Sequence, residues 1–187
     1  MMRPIVAMLL SLAVAGCASL PDRTPVLPES REGLADAWVM HGRIGLRSDE
    51  QSLSGNLRWQ HSAESDELFM TSPLGQGVAR IVRDASGVTL DLPNQPARHA
   101  PDAEALTREA LGYTLPVAGL VWWIQARPDP QRPFEATRDA AGRLRQLKQD
   151  GWVIDYLQYP PDTTARPQKL VVTRAGLEIR LVADRWQ

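Results

Sequence analysis

The sequence predicts a mainly β domain, one large antiparallel sheet that must close or fold over, with a pair of helices covering one opening. Three observations predict it. Segments with apolar residues at every second position recur on both sides of the middle of the chain, the period of half-buried strands. Turn-forming runs of Gly, Pro, Asp and Ser separate them, as successive hairpins require. Only one stretch, in the middle, changes to helical spacing.

Trp38, Met40, Gly42, Ile44 and Leu46 share one parity, opposite His41, Arg43, Gly45 and Arg47. In the next segment Leu53, Gly55, Leu57 and Trp59 alternate with Ser52, Ser54, Asn56, Arg58 and Gln60. A short apolar strand follows at 67–71. Ser72-Pro73-Leu74-Gly75-Gln76-Gly77 is a turn, with Pro fixing one φ and Gly permitting another. Strands at 78–83 and 88–92 flank Asp84-Ala85-Ser86-Gly87.

Asp102 is the expected N-cap of a first helix that runs to Leu111, with Gly112 after its end. Pro116 starts a second, in which Val117, Leu120, Val121 and Ile124 form one apolar face. Trp122 and Trp123 widen that face, so this helix should be buried on more than one side. It ends before Pro128, and 126–133 is a proline-rich loop. Strands resume at 144–149. After the Asp150-Gly151 turn, Trp152, Ile154 and Tyr156 alternate with Val153, Asp155 and Leu157. Pro160-Pro161-Asp162-Thr163-Thr164 is a loop, and strands at 169–174 and 177–186 pair across Ala175-Gly176. The total is about nine or ten strands, and a sheet of that size with one apolar face must hide it by closure or folding over.

Length and composition fit one folded domain: 187 residues, 43% hydrophobic and 23% charged, neither a disordered tail nor a multi-span membrane protein. A net charge of −1 gives no support for a broad nucleic-acid surface. The single Cys permits no internal disulfide and no cysteine-rich zinc site. Its position is informative. Arg3 precedes an apolar run over 5–14 broken only by Ser11, too short to span a bilayer but suited to a signal peptide. Val14-Ala15-Gly16-Cys17 then resembles a bacterial lipobox, in which the Cys thiol is acylated and the preceding peptide bond is cut. The expected organisation is a lipoprotein signal peptide at 1–16, a lipidated flexible tether at 17–34 and a barrel domain at 35–187. In bacterial lipoproteins an Asp after the Cys favours inner-membrane retention. Ala18 stands there, so the resemblance implies the periplasmic face of the outer membrane.

No catalytic motif emerges. His41, His61 and His99 lie in different elements, with no H-E-x-x-H. There is no nucleophile elbow, Ser-x-x-Lys, dinucleotide fingerprint or phosphate loop. Glu64, Asp66 and Glu67 form an acidic cluster read as a solvated hairpin end, because a glycosidase pair would need a facing cleft. The expectation is a protein that is not an enzyme and has no metal or cofactor. Six Trp dominate the few aromatics. Such a sheet can fill its interior with side chains or leave a cavity for one apolar ligand, and periodicity does not distinguish the two.

An ordered set of segments carries a family resemblance: Gly42-Arg43-Ile44-Gly45-Leu46, Leu57-Arg58-Trp59-Gln60, Ser72-Pro73-Leu74-Gly75, Trp123-Ile124-Gln125-Ala126-Arg127-Pro128, Gln149-Asp150-Gly151-Trp152-Val153-Ile154-Asp155-Tyr156, Pro167-Gln168-Lys169-Leu170 and Ile179-Arg180-Leu181-Val182 with Trp186. Together with the lipobox, the chain resembles the LolB family of outer-membrane lipoproteins. One departure is Ala126, where the family pattern has Gly, which bears on the turn after the second helix. The resemblance implies an incompletely closed antiparallel β-barrel with a helical lid over a hydrophobic cavity. It implies a protein that accepts acylated lipoprotein cargo from a LolA-type periplasmic carrier and inserts it into outer-membrane lipid. Leu74, between Pro73 and Gly75, then tips a membrane-insertion loop. Trp59 and Trp123 lead the expected cavity lining, with Ile44, Met70, Leu90 and Trp152. A monomer is the expected state. The alternative is a structural or envelope-assembly lipoprotein with a solid barrel.

Overall fold

The computed structural model describes residues 37–49, 52–161 and 166–187. The expected signal peptide, Cys17 and the tether lie outside the described residues, as do residues 162–165 of the predicted loop.

Eleven strands form one antiparallel sheet: β1 (Trp38–Arg47), β2 (Ser52–His61), β3 (Asp66–Thr71), β4 (Gly77–Asp84), β5 (Gly87–Asp91), β6 (Arg98–Ala100), β7 (Phe134–Arg138), β8 (Leu144–Gln149), β9 (Trp152–Gln158), β10 (Lys169–Arg174) and β11 (Leu177–Trp186). The spatial order is β6-β5-β4-β3-β2-β1-β11-β10-β9-β8-β7. Every neighbour is a sequence neighbour except β1 and β11, so two hairpin meanders are joined by the first and last strands. The sheet ends at β6 and β7, which do not pair, and it is therefore incompletely closed. The chain between those edges holds α1 (Ala103–Leu111) and α2 (Val117–Trp123).

The alternation read from the sequence is the alternation of burial. In β1 the even positions Trp38 to Leu46 are buried, and in β9 Trp152, Ile154 and Tyr156 are. They join one core cluster with Leu106, Val117, Leu120, Trp123 and Ile124 of the helical segment. Because side chains alternate across the pleat, one face of all eleven strands can feed that core.

β6 and β7 exceed the expected strand count. Both are edges with a single neighbour each. Edge strands have little burial to impose an alternating pattern, so periodicity does not reveal them. At the centre, a bulge between His41 and Gly42 interrupts the β1–β11 register. A Cβ on Gly42 would fall 2.0 Å from the Val182 carbonyl oxygen, so only glycine lets the two backbones approach there.

The helices begin and end as their capping residues dictate. Asp102 accepts a hydrogen bond from the Ala105 N–H at 2.6 Å, and Gly112 is left-handed at φ 78°. After α2, the Arg127 N–H donates to Trp122 O at 3.2 Å and the Ala126 N–H to Trp123 O at 3.0 Å, the bonding of a Schellman cap. The left-handed residue of that cap is Ala126, at φ 55°. The turn keeps its geometry despite the departure from glycine, at a cost in backbone strain. Ala126→Gly should therefore raise unfolding stability by about 0.5–1 kcal/mol. Urea unfolding checks this, and a loss of stability would show that Ala126 packing outweighs the relief of strain.

Candidate functional site

Two surfaces matter: the inward apolar face and the loop between β3 and β4. Ile44, Trp59, Met70, Leu90, Trp123 and Trp152 come from β1, β2, β3, β5, α2 and β9. All six are buried in the same cluster. Trp123 and Trp152 are brought together, ring centroids 6.3 Å apart.

Leu74 is the opposite case. It is 89% exposed, whereas the other exposed large apolar side chains among the described residues, Phe69 and Leu157, stand at 36% and 56%. Local chemistry explains its presentation. The Gly75 N–H donates to Ser72 O at 2.9 Å, and the Ser72 N–H to Gln76 O at 2.7 Å. Pro73 occupies the second position of this turn, where its fixed φ suits the backbone, and Gly75 takes φ 84°. Leu74 is left at the tip with no core to enter. Pro73 and Gly75 are exposed beside it.

The helical cover is attached to the sheet by polar groups that alternation did not reveal. Trp123 Nε1–H donates to Gln149 Oε1 at 2.9 Å. The same oxygen accepts the Asp129 N–H, and Gln149 Nε2 donates to the Asp129 and Arg132 carbonyls. From β9, the Tyr156 hydroxyl donates to Trp123 O at 3.0 Å. Burial pushes this phenol well above its ordinary pKa, so it stays a donor. Gln149 is itself buried. A glutamine buried at a strand end must satisfy its amide, and it does so by holding the loop after α2.

A family model described as outer membrane lipoprotein LolB matches residues 36–186. The chain belongs to the LolB family of outer-membrane lipoproteins. It is 58% identical over 179 residues to the outer-membrane lipoprotein LolB of Thiobacillus denitrificans, covering 95% of this chain and 94% of that one. The LolB of Cupriavidus pinatubonensis is 40% identical over 157 residues, covering 79% and 73%. Among solved structures, a LolA superfamily protein from Nitrosomonas europaea aligns over 81% of this chain and 86% of its own, at 11% identity and a TM-score of 0.48.

The acidic cluster corrects the sequence reading. Glu64 is exposed, but Asp66 is fully buried rather than part of a solvated hairpin end. Asp66 accepts hydrogen bonds from Trp59 Nε1 at 3.0 Å, His61 Nδ1 at 2.6 Å and Arg83 Nε at 2.7 Å, with Arg83 Nη2 adding a further contact. The reason is register: Asp66 lies opposite His61 on β2 and Arg83 on β4. Trp38 stacks on His61 and meets Trp59 and Trp186 at 5.4 and 5.2 Å. Among the described residues, no group of three or more His, Cys, Asp and Glu is arranged to hold a metal.

Burial pushes the Asp66 carboxyl up, but the bonds from His61, Arg83 and Trp59 outweigh it and hold its pKa below the ordinary value. Its stabilising contribution is thus complete above the unfolded carboxylate value, about 3.9, and is lost as pH falls through the lower folded value. Asp66→Asn should cost about 2 kcal/mol at neutral pH by weakening the hydrogen bonds that Trp59, His61 and Arg83 donate to a buried carboxylate. It should also flatten the fall in stability below about pH 4. Urea unfolding across a pH series reads both; an unchanged acid limb would mean that other carboxylates govern acid unfolding.

Proposed function

We propose that this protein accepts acylated lipoproteins from a LolA-type periplasmic carrier into the apolar interior of its sheet and inserts them into the outer membrane. The observation that carries the reading is Leu74, a large apolar side chain held almost fully in solvent at a hydrogen-bonded hairpin tip. Membership of the LolB family supports the same role and favours it over a structural lipoprotein with a solid barrel. In this reading residues 1–16 are removed, Cys17 is acylated, 17–34 tethers, and 35–187 is the receiving domain.

The physics of the cargo restricts the mechanism. Each acyl CH₂ exposed to water costs about 0.8 kcal/mol. Releasing three chains of roughly 15 carbons costs on the order of 30 kcal/mol. Free diffusion is closed, so cargo passes by direct contact from one apolar interior to another and then to the bilayer. That requires an apolar surface and a route in, but neither a nucleophile nor a metal. Ile44, Trp59, Met70, Leu90, Trp123 and Trp152 supply apolar surface from both the sheet and the helical cover. The unpaired β6 and β7 edges, bridged only by the helical segment, are the place where such a sheet opens with least loss of backbone hydrogen bonding.

Leu74 gains about 1.5–3 kcal/mol on entering lipid, enough to orient a loop and too little to anchor a protein. Leu74→Glu should leave stability within about 0.5 kcal/mol of the parent and leave loading from cargo-bearing carrier unchanged. It should slow delivery to liposomes by about tenfold or more, because a carboxylate resists the apolar layer. Delivery at the parental rate would remove the insertion role.

A second measurement addresses the interior and the anchor. Cys17→Ala should leave the outer-membrane fraction as a folded soluble protein. A fluorescent fatty acid added to it should quench Trp emission saturably. A folded variant that takes up no probe would establish the solid barrel; one still membrane-bound through an acyl chain would place the anchor elsewhere.

A further inference from the structure

Alternate turns of an antiparallel meander fall at alternate ends. The β1–β2, β3–β4, β8–β9 and β10–β11 connections therefore leave the sheet at one end, the end that Leu74 tips. There, at the rim formed by β1, β11, β10 and β9, lies a groove of about 480 Å³ whose lining includes Arg47, Asp49, Gly151, Arg174, Gly176 and Glu178. Its nearest strand, β1, is two strands from β3 in the sheet, about 10 Å across the strands.

Its lining carries two arginines, Arg47 and Arg174, and two carboxylates, Asp49 and Glu178. Arg47 and Arg174 have no carboxylate partner among the described residues. Arg174 lies over the Trp152 ring at 5.5 Å, which orients the guanidinium while leaving its N–H edge available. Glu178 is already engaged, accepting from Arg180 Nε at 2.7 Å. The space exists because both turns carry glycine. Gly151 and Gly176 sit at φ 76° and 80°, each after another left-handed residue, Asp150 or Ala175, as tight hairpins require. A Cβ at 151 would reach 3.7 Å from Arg174 Nε, and one at 176 would reach 3.0 Å from Asp49 Oδ2. Side chains there would fill the floor.

We propose that this groove receives the phosphodiester of a bilayer phospholipid when the Leu74 end of the sheet meets the membrane. The proposal rests on the insertion reading above, since it is that reading which brings this end to lipid. Arg47 and Arg174 bind the phosphate oxygens by charge-assisted hydrogen bonds. Asp49 closes one side of the groove and favours lipids whose headgroup also carries a cation. The groove thereby sets how the sheet stands on the surface, while Leu74 sets how deeply its tip enters.

Hydrogen exchange on the full chain, as isolated from membranes, tests this. The protein is transferred from phosphate-free maltoside micelles to vesicles of zwitterionic phosphatidylcholine or of digalactosyl diacylglycerol. The Gly151 and Gly176 amides should exchange about threefold or more slowly on the phospholipid than on the galactolipid. A folded Arg47→Gln/Arg174→Gln protein should lose that difference; Arg174→Gln alone serves if the double variant does not fold. The Leu74 amide should slow on both lipids. Equal exchange at the glycines on the two lipids overturns the proposal, as does a difference that survives the arginine changes. Slowing reproduced by millimolar inorganic phosphate in micelles also overturns it, in favour of a free-phosphate site. Protected glycines beside an unprotected Leu74 would support the groove and reject the insertion loop instead.

Discussion

The pairing of β1 with β11 is the contact on which the rest of the molecule depends. All other strand pairs are hairpins or connections between consecutive strands. Without this one, the chain would be two open meanders, each with one apolar face and no means to hide it. The pairing extends from Met40 opposite Trp186 to Arg47 opposite Glu178. Reciprocal backbone bonds between Val39 and Gln187, at 2.9 and 2.8 Å, continue it to the chain end. It brings together residues some 140 positions apart, the longest-range strand pairing in the sheet, so it carries the largest loop-closure entropy. The absence of a Cβ at Gly42 makes the approach possible.

Two polar assemblies then hold the apolar interior in place from different directions. Asp66 ties β2, β3 and β4 together beneath the Trp38–Trp59–Trp186 cluster. Gln149 and Tyr156 hold the end of α2 to β8 and β9. Each satisfies its buried groups almost completely, which is what makes a buried carboxylate or amide tolerable. The helical cover is thus held at its C-terminal end to β8 and β9 by side-chain hydrogen bonds, whereas α1 lies against β5 and β6.

The two ends of the sheet differ in kind. Asp66, His61 and Trp38 occupy the end where β2 turns into β3. Leu74 and the arginine groove occupy the other. Under the insertion and groove proposals above, this separation lets one end present apolar and cationic groups to lipid without loosening the core. A hydrogen-bonded turn exposes Leu74 at little expense to core packing.

The sequence by itself determined the local structure. Alternation placed β1, β2, β9 and β11, and Asp102 with Gly112 bounded α1, because period and capping are properties of a few neighbouring residues. The Pro73-Leu74-Gly75 tip and the family were legible for the same reason, as short ordered motifs. Tertiary structure alone decided what depends on partners far along the chain. The β1–β11 closure is one case, and the edge strands β6 and β7, which have too little burial to leave a pattern, are another. Asp66 is the clearest. Beside Glu64 and Glu67 it read as solvated, yet Trp59, His61 and Arg83 converge on it across three strands. Gln149 likewise became a bolt only when Trp123 and the loop after α2 were folded onto it. A residue's neighbours in sequence fix its backbone, but its charge and hydrogen bonds are settled by neighbours in space.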